Sequence, residues 1–168
     1  MAAKHLSARK NWQTETGKKA TKNEKRTYLM LRESLDSGQY KVTRKPVVLI
    51  GKLRLEPELV IENSLNGKKI IIDDKLGNRG GNAHERAYKY CTGKVKAAGY
   101  IPLIIFSGKT FASQDPYSYM NKKGKAIKVN PQKYRNEFEE LLEPEQYFIA
   151  TGTNDTDLRN KIEEMLAS

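Results

Sequence analysis

Two acids and one lysine set the chemistry this chain could perform. Glu58 follows Pro57 at the head of the apolar run Leu59-Val60-Ile61. Fifteen positions later, Asp73 opens an Asp-Asp-Lys triplet that ends at Lys75. Strand side chains alternate between faces, so Asp73 and Lys75 share a face and Asp74 points the other way. Glu58, on the strand before a hairpin turn, projects toward the same edge. Two carboxylates converging there would bind a hard divalent cation through oxygen, with water completing the shell. Mg²⁺ is the expected ion and Mn²⁺ a tolerated substitute. Such an ion activates water and neutralises charge on a phosphodiester. Lys75 would orient that water or stabilise the charged transition state. An acid-x-Lys alone is a common solvated hairpin end, so the expectation rests on Glu58 and on the segment just past the triplet.

That segment is Arg79-Gly80-Gly81-Asn82-Ala83-His84-Glu85-Arg86. The two glycines allow close backbone approach. Asn82 carries the donor and acceptor that match adenine N6 and N7 in the major groove, and Ala83 is small enough to lie against a thymine methyl. Arg86 is a forked donor for a base acceptor or a phosphate, and Glu85 can hold a guanidinium in a bidentate pair. His84 is expected to pack or to touch phosphate. Taken alone, the segment also reads as a plain N-capped helix.

The charge balance agrees with a polyanionic partner. The chain has 31 Lys and Arg against 20 Asp and Glu, a net charge of +11. This points to nucleic acid, and the resemblance given below implies double-stranded DNA. Its 168 residues suffice for one domain with a real core. The single cysteine, Cys91, excludes an internal disulfide and is expected to pack against a helix. No apolar run approaches a membrane span or a signal peptide, so a cytoplasmic protein with no membrane partner is expected. Residues 1–22 are read as a basic arm that contacts DNA.

The elements that must position these residues are set by periodicity. Residues 23–36 read as a helix with Tyr28, Leu31 and Leu35 on one face. Tyr40 to Val48 reads as a strand broken by Pro46. Leu59-Val60-Ile61 and Lys69 to Lys75 pair across the turn Ser64-Leu65-Asn66-Gly67, and Ile70-Ile71-Ile72 is buried on both faces. Asn82 to Ala98 is predicted as one helix capped by Asn82 and stopped at Gly99. Ile101 to Phe106 comes next as a second apolar strand, a crossover unit in a mixed sheet. Residues 107–126 read as a surface loop with phosphate contacts at Lys122-Lys123-Gly124-Lys125. Pro131 to Leu142 is a helix, Tyr147 to Thr151 a strand and Asp155 to Leu166 a terminal helix. The class is α/β in one domain.

The order acid, acid-x-Lys, Gly81-Asn82-Ala83-His84-Glu85-Arg86 resembles type II restriction endonucleases of the EcoRI/MunI type, and most closely the MunI branch. The likeness extends to Leu6-Ser7, Arg9, Asn11-Trp12-Gln13, to Ile61-Glu62-Asn63, to Ile101-Pro102 through Gly108 and to Tyr147-Phe148. It implies a PD-(D/E)xK fold, a mixed central β-sheet flanked by helices, over the single domain 1–168. It implies a homodimer cutting a palindrome with an AATT core and leaving 5′ overhangs, with a cognate DNA methyltransferase in the host as functional partner. Glu58, Asp73 and Lys75 fall on the catalytic positions, the first two as metal ligands. Arg79, Gly80, Gly81, Asn82, Ala83, His84 and Arg86 fall on the DNA-contacting segment.

The chain departs from that pattern in three ways. The two acids are exchanged in type, Glu58 for Asp and Asp73 for Glu. Gly80 stands where the MunI branch has the arginine linked to the outer base pair, with Arg79 one residue earlier. The chain is also shorter before Pro57 and between Lys75 and Gly81, which points to a shorter or looser site. Two other classes remain: a sequence-specific DNA-binding protein that has lost cleavage, and a small basic RNA-binding protein. The latter leaves Gly81 to Arg86 unexplained.

Overall fold

The turn at Asn66-Gly67 sets the register on which the site depends. Gly67 takes φ 74°, a left-handed conformation that glycine adopts without cost. Asn66 Oδ1 accepts from the Lys68 amide at 3.0 Å. The turn joins β4 (Leu59–Asn63) to β5 (Lys69–Leu76) in an antiparallel ladder running from Glu62 opposite Lys69 to Leu59 opposite Ile72. β5 then continues four residues past the last of these pairs. The computed structural model describes residues 18–19, 21–76, 85 and 89–167.

β5 is central in a five-stranded mixed sheet. β4 is flanked on its other side by β1 (Tyr40–Arg44), antiparallel. β5 pairs in parallel with β6 (Tyr100–Ser107), and β6 with β9 (Tyr147–Ala150). The sheet order is β1-β4-β5-β6-β9. Parallel strands buried on both faces need no alternation, which is why Ile70, Ile71 and Ile72 are all at most 1% exposed.

One face of the sheet is covered by helix α1 (residues 21–34, with 18 and 19 also helical) and by the terminal helix α5 (Asp155–Leu166). Leu31 and Leu35 meet Ile70 and Ile72 there, with Leu158, Ile162 and Leu166 from α5. The other face carries two clusters. Phe106 stacks on Phe138 of α4 (Pro131–Leu141) with ring centroids 3.9 Å apart. Ile71 packs with Val48, Leu55, Tyr90 and Val95.

Several expectations need correction. The break expected at Pro46 within Tyr40 to Val48 is present, but it separates two elements in different sheets. β1 stops at Arg44, where Lys45 turns with φ 46°, and a separate hairpin comes after it, β2 (Val48–Ile50) with β3 (Leu53–Leu55). Pro46, which cannot donate to a ladder, lies in the break. The helix expected over Asn82 to Ala98 is not continuous. Residues 85, 89 and 90 are helical, Cys91 and Thr92 bend, and a new helix α2 (Gly93–Ala97) begins, with Thr92 Oγ1 accepting from the Val95 amide at 3.4 Å. The loop expected over 107–126 is instead a short helix α3 (Lys109–Ala112) and then a hairpin, β7 (Tyr117–Met120) with β8 (Ala126–Val129). The expected helix cap Asn82 lies outside the described residues.

Candidate active site

Asp73 and Asp74 part as strand geometry requires. Asp74 shares the Ile70–Ile72 face and meets α1. Its carboxylate accepts from Thr27 Oγ1 at 2.7 Å, Asn23 Nδ2 at 2.9 Å and Ser107 Oγ at 3.2 Å. Burial pushes its pKa up, and these three hydrogen bonds oppose the shift. Asp74 therefore fastens the start of α1 to the ends of β5 and β6.

Asp73 is 1% exposed on the opposite face, with Lys75 half-buried on that face two residues on. Glu58 lies in the bend before β4, one step beyond the Leu59–Ile72 pair that ends the ladder, and the Asp73 charge reaches it. Its backbone is fixed by the Lys45 amide, which donates to the Glu58 carbonyl at 2.8 Å. The three residues expected to do chemistry thus all lie at one end of the β4–β5 ladder.

A fourth group joins them. Glu24, near the start of α1, hydrogen-bonds the Glu58 side chain, and Lys45 Nζ lies 3.7 Å from Glu24 Oε2. Glu58 is pushed up to about 8, first by burial, then by the hydrogen bond and negative charge of Glu24 and the charge of Asp73; Lys45 opposes. The sequence held one sign of Glu24. It lies seven positions before Leu31, on the inward stripe of its helix, where an acid has no packing role.

The donors suit a hard cation. Glu58 and Asp73 carry carboxylate oxygens, the donors a hard cation takes, and a bound cation would offset the burial and negative charge that raise Glu58. Among the described residues, no three His, Cys, Asp or Glu groups are placed to hold a metal together. A pair of carboxylates with water and phosphate oxygens in the remaining positions is the arrangement these residues can offer.

Of the expected reading segment, Arg79, Gly80, Gly81, Asn82, Ala83, His84 and Arg86 lie outside the described residues; Glu85 is helical and exposed. Cys91 is half-buried and its thiol is pushed up to about 11 by burial, with Lys96 opposing, which agrees with packing rather than nucleophilic use. Among the described residues no helix is long and apolar enough to cross a membrane.

Residues 1–66 match the family described as "Type II restriction enzyme MunI". That span is under half of the chain; it includes Glu24 and Glu58 and ends before Asp73. Among solved structures, the chain is similar to the MunI restriction endonuclease in complex with cognate DNA, at 19% identity and a TM-score of 0.51, over 93% of this chain and 95% of that one. A protein of unknown function, AF1548, gives a TM-score of 0.37 at 15% identity over 51% of this chain; the chain spans 45% of that protein's length. No curated protein matches. The family match and the shared fold bear out the resemblance read in the motif, and the α/β class with a mixed sheet between helices is the fold of the MunI enzyme.

Proposed function

We propose that this chain, which shares the MunI fold and matches the MunI family over its first 66 residues, is a type II site-specific deoxyribonuclease. Its substrate is double-stranded DNA at a palindrome with an AATT core, cut as a homodimer to leave 5′ overhangs. What supports this reading is that Glu58 and Asp73 flank the last pair of the β4–β5 ladder, with Lys75 two residues further along β5.

Glu58 and Asp73 would hold Mg²⁺, with Mn²⁺ tolerated, and the bound ion would supply Lewis acidity and an activated water. Asp73 is buried within β5, a central strand of the sheet. Lys75 places an ammonium on the same face, where it stabilises charge developing on the phosphate. Glu24 positions Glu58 through the hydrogen bond between them. Gly81, Asn82, Ala83 and Arg86 would read AATT, with Arg79, Gly80 and His84 beside the backbone. The single domain 1–168, with 1–22 as a basic arm, completes the reading. A cognate methyltransferase would protect the host.

A second reading has one observation in its favour. Glu58 and Asp73 are exchanged in type against the MunI pattern, which changes the reach of both carboxylates, as expected of a binder that no longer cuts. Supercoiled plasmid incubated with wild type or Asp73→Asn, in Mg²⁺ or in EDTA, separates the two. The nuclease reading expects linear fragments from wild type in Mg²⁺ alone. Wild type that binds AATT duplexes without cutting in either condition establishes the binder.

A further inference from the structure

The β7–β8 hairpin carries charge that the proposed chemistry does not use. Residues 116–136 hold Lys122, Lys123, Lys125, Lys128, Lys133 and Arg135 and no acid, between Asp115 and Glu137. Protein surfaces ordinarily mix the two signs.

The hairpin tip is built. Asn121 Oδ1 accepts from the amides of Lys123 and Lys125, both at 2.9 Å, and the Asn121 amide donates to the Lys125 carbonyl at 2.9 Å. Gly124 closes the turn at φ 73°. Lys123 and Lys125 are exposed there. Tyr117, Tyr119, Ile127 and Val129 face inward, so Lys128 lies on the exposed face.

The root is fixed at the catalytic end of the sheet. α3 begins two residues after Ser107, whose hydroxyl donates to Asp74. The Tyr117 ring lies under Lys109 Nζ at 4.3 Å, and its hydroxyl is 3.4 Å from that of the buried Thr110. Arg135 donates to the Ser113 carbonyl. Four residues of strand carry the tip about 14 Å from this root.

We infer that the β7–β8 hairpin is an arm that grips the sugar-phosphate backbone of the DNA duplex away from the scissile bond. Lysine is a point charge on a flexible stem, suited to phosphate and not to the bidentate reading of a base. The arm adds sequence-independent affinity, and it rests on the reading of the chain as a DNA enzyme.

The test is fluorescence anisotropy of the full chain in EDTA over a salt series. Duplexes of about 12 and about 30 base pairs centred on AATT are compared. Lys123→Ala/Lys125→Ala is measured beside Lys94→Ala/Lys96→Ala, a charge-matched pair exposed on α2 at the other end of β6. The arm predicts that the hairpin variant loses roughly 0.9 from the slope of log K against log salt for each phosphate contact removed. That loss is confined to the long duplex, with the α2 pair unchanged and melting temperatures equal. If the double variant melts early, Lys123→Gln/Lys125→Gln is read in its place. An unchanged slope, or equal losses in both pairs, overturns the arm even if the wild type cuts DNA. A hairpin-dependent slope in a protein that cuts no DNA with Mg²⁺ overturns the nuclease and leaves the arm standing. A wild type that binds no duplex overturns both.

Discussion

Glu58 and Asp73 flank the Leu59–Ile72 pair that ends the β4–β5 ladder, Glu58 just before β4 and Asp73 within β5, and the Asp73 charge reaches Glu58. The exchange of acid types therefore has a geometric reading. The longer side chain has moved to the β4 side and the shorter to β5, so the combined reach across the pair is conserved.

This relationship predicts non-additive substitutions. Glu58→Asp leaves two short side chains, and Asp73→Glu forces a longer one into a buried position. Each single change should lower the cleavage rate by about 10- to 100-fold, or ~1.4–2.7 kcal/mol. The double exchange should return to within about tenfold of wild type, because neighbouring sites couple. Single-turnover cleavage rates check this, and losses that simply multiply would show that the two acids act independently.

Asp73→Asn removes a ligand charge while keeping shape. Cleavage should fall by at least about 10³-fold, equivalent to ~4 kcal/mol. Binding to DNA in EDTA should stay within about threefold of wild type. A variant that binds tenfold more weakly without metal would make Asp73 part of the DNA interface.

The Glu24–Glu58 pair predicts a pH dependence of stability. Glu58 is raised from 4.5 to about 8 in the folded protein, so between those values the folded state holds a proton that the unfolded state has released. Stability is then fully present below about pH 4.5 and is lost as pH rises toward 8. The half-exposed carboxyl is screened by solvent, so the effect should be on the order of 1 kcal/mol. Asp74, also raised by burial, adds a loss of the same sign. Glu24→Gln should flatten the Glu58 part of the slope in metal-free thermal melts. A slope unchanged by that substitution would break the proposed pairing.

Thr27→Val keeps the volume at the α1 anchor and removes the 2.7 Å bond to Asp74. It should cost about 1–2 kcal/mol, or a few degrees in Tm for a chain of this size. Calorimetry of the variant checks it, and a neutral result would mean that Asn23 and Ser107 suffice to satisfy the carboxylate.

The sheet was legible where composition and period agreed. The Asn66-Gly67 turn fixed the β4–β5 register, and strand alternation then separated Asp73 from Asp74. Glu24 was not found because its role comes from where α1 crosses the sheet, a long-range contact that helical periodicity does not encode. The β7–β8 hairpin was missed because Asn121 to Lys125 reads as a polar run. Its turn depends on one side-chain oxygen bonding two amides. The break at Cys91-Thr92 was hidden by residues that suit a helix on either side.

The most direct test is a digest of phage DNA with the purified protein in Mg²⁺, with sequencing of the fragment ends. The account predicts discrete fragments whose 5′ overhangs carry AATT, with the flanking bases read from the same ends, and none in EDTA. Fragments with random ends, or cleavage that persists in EDTA, would contradict it.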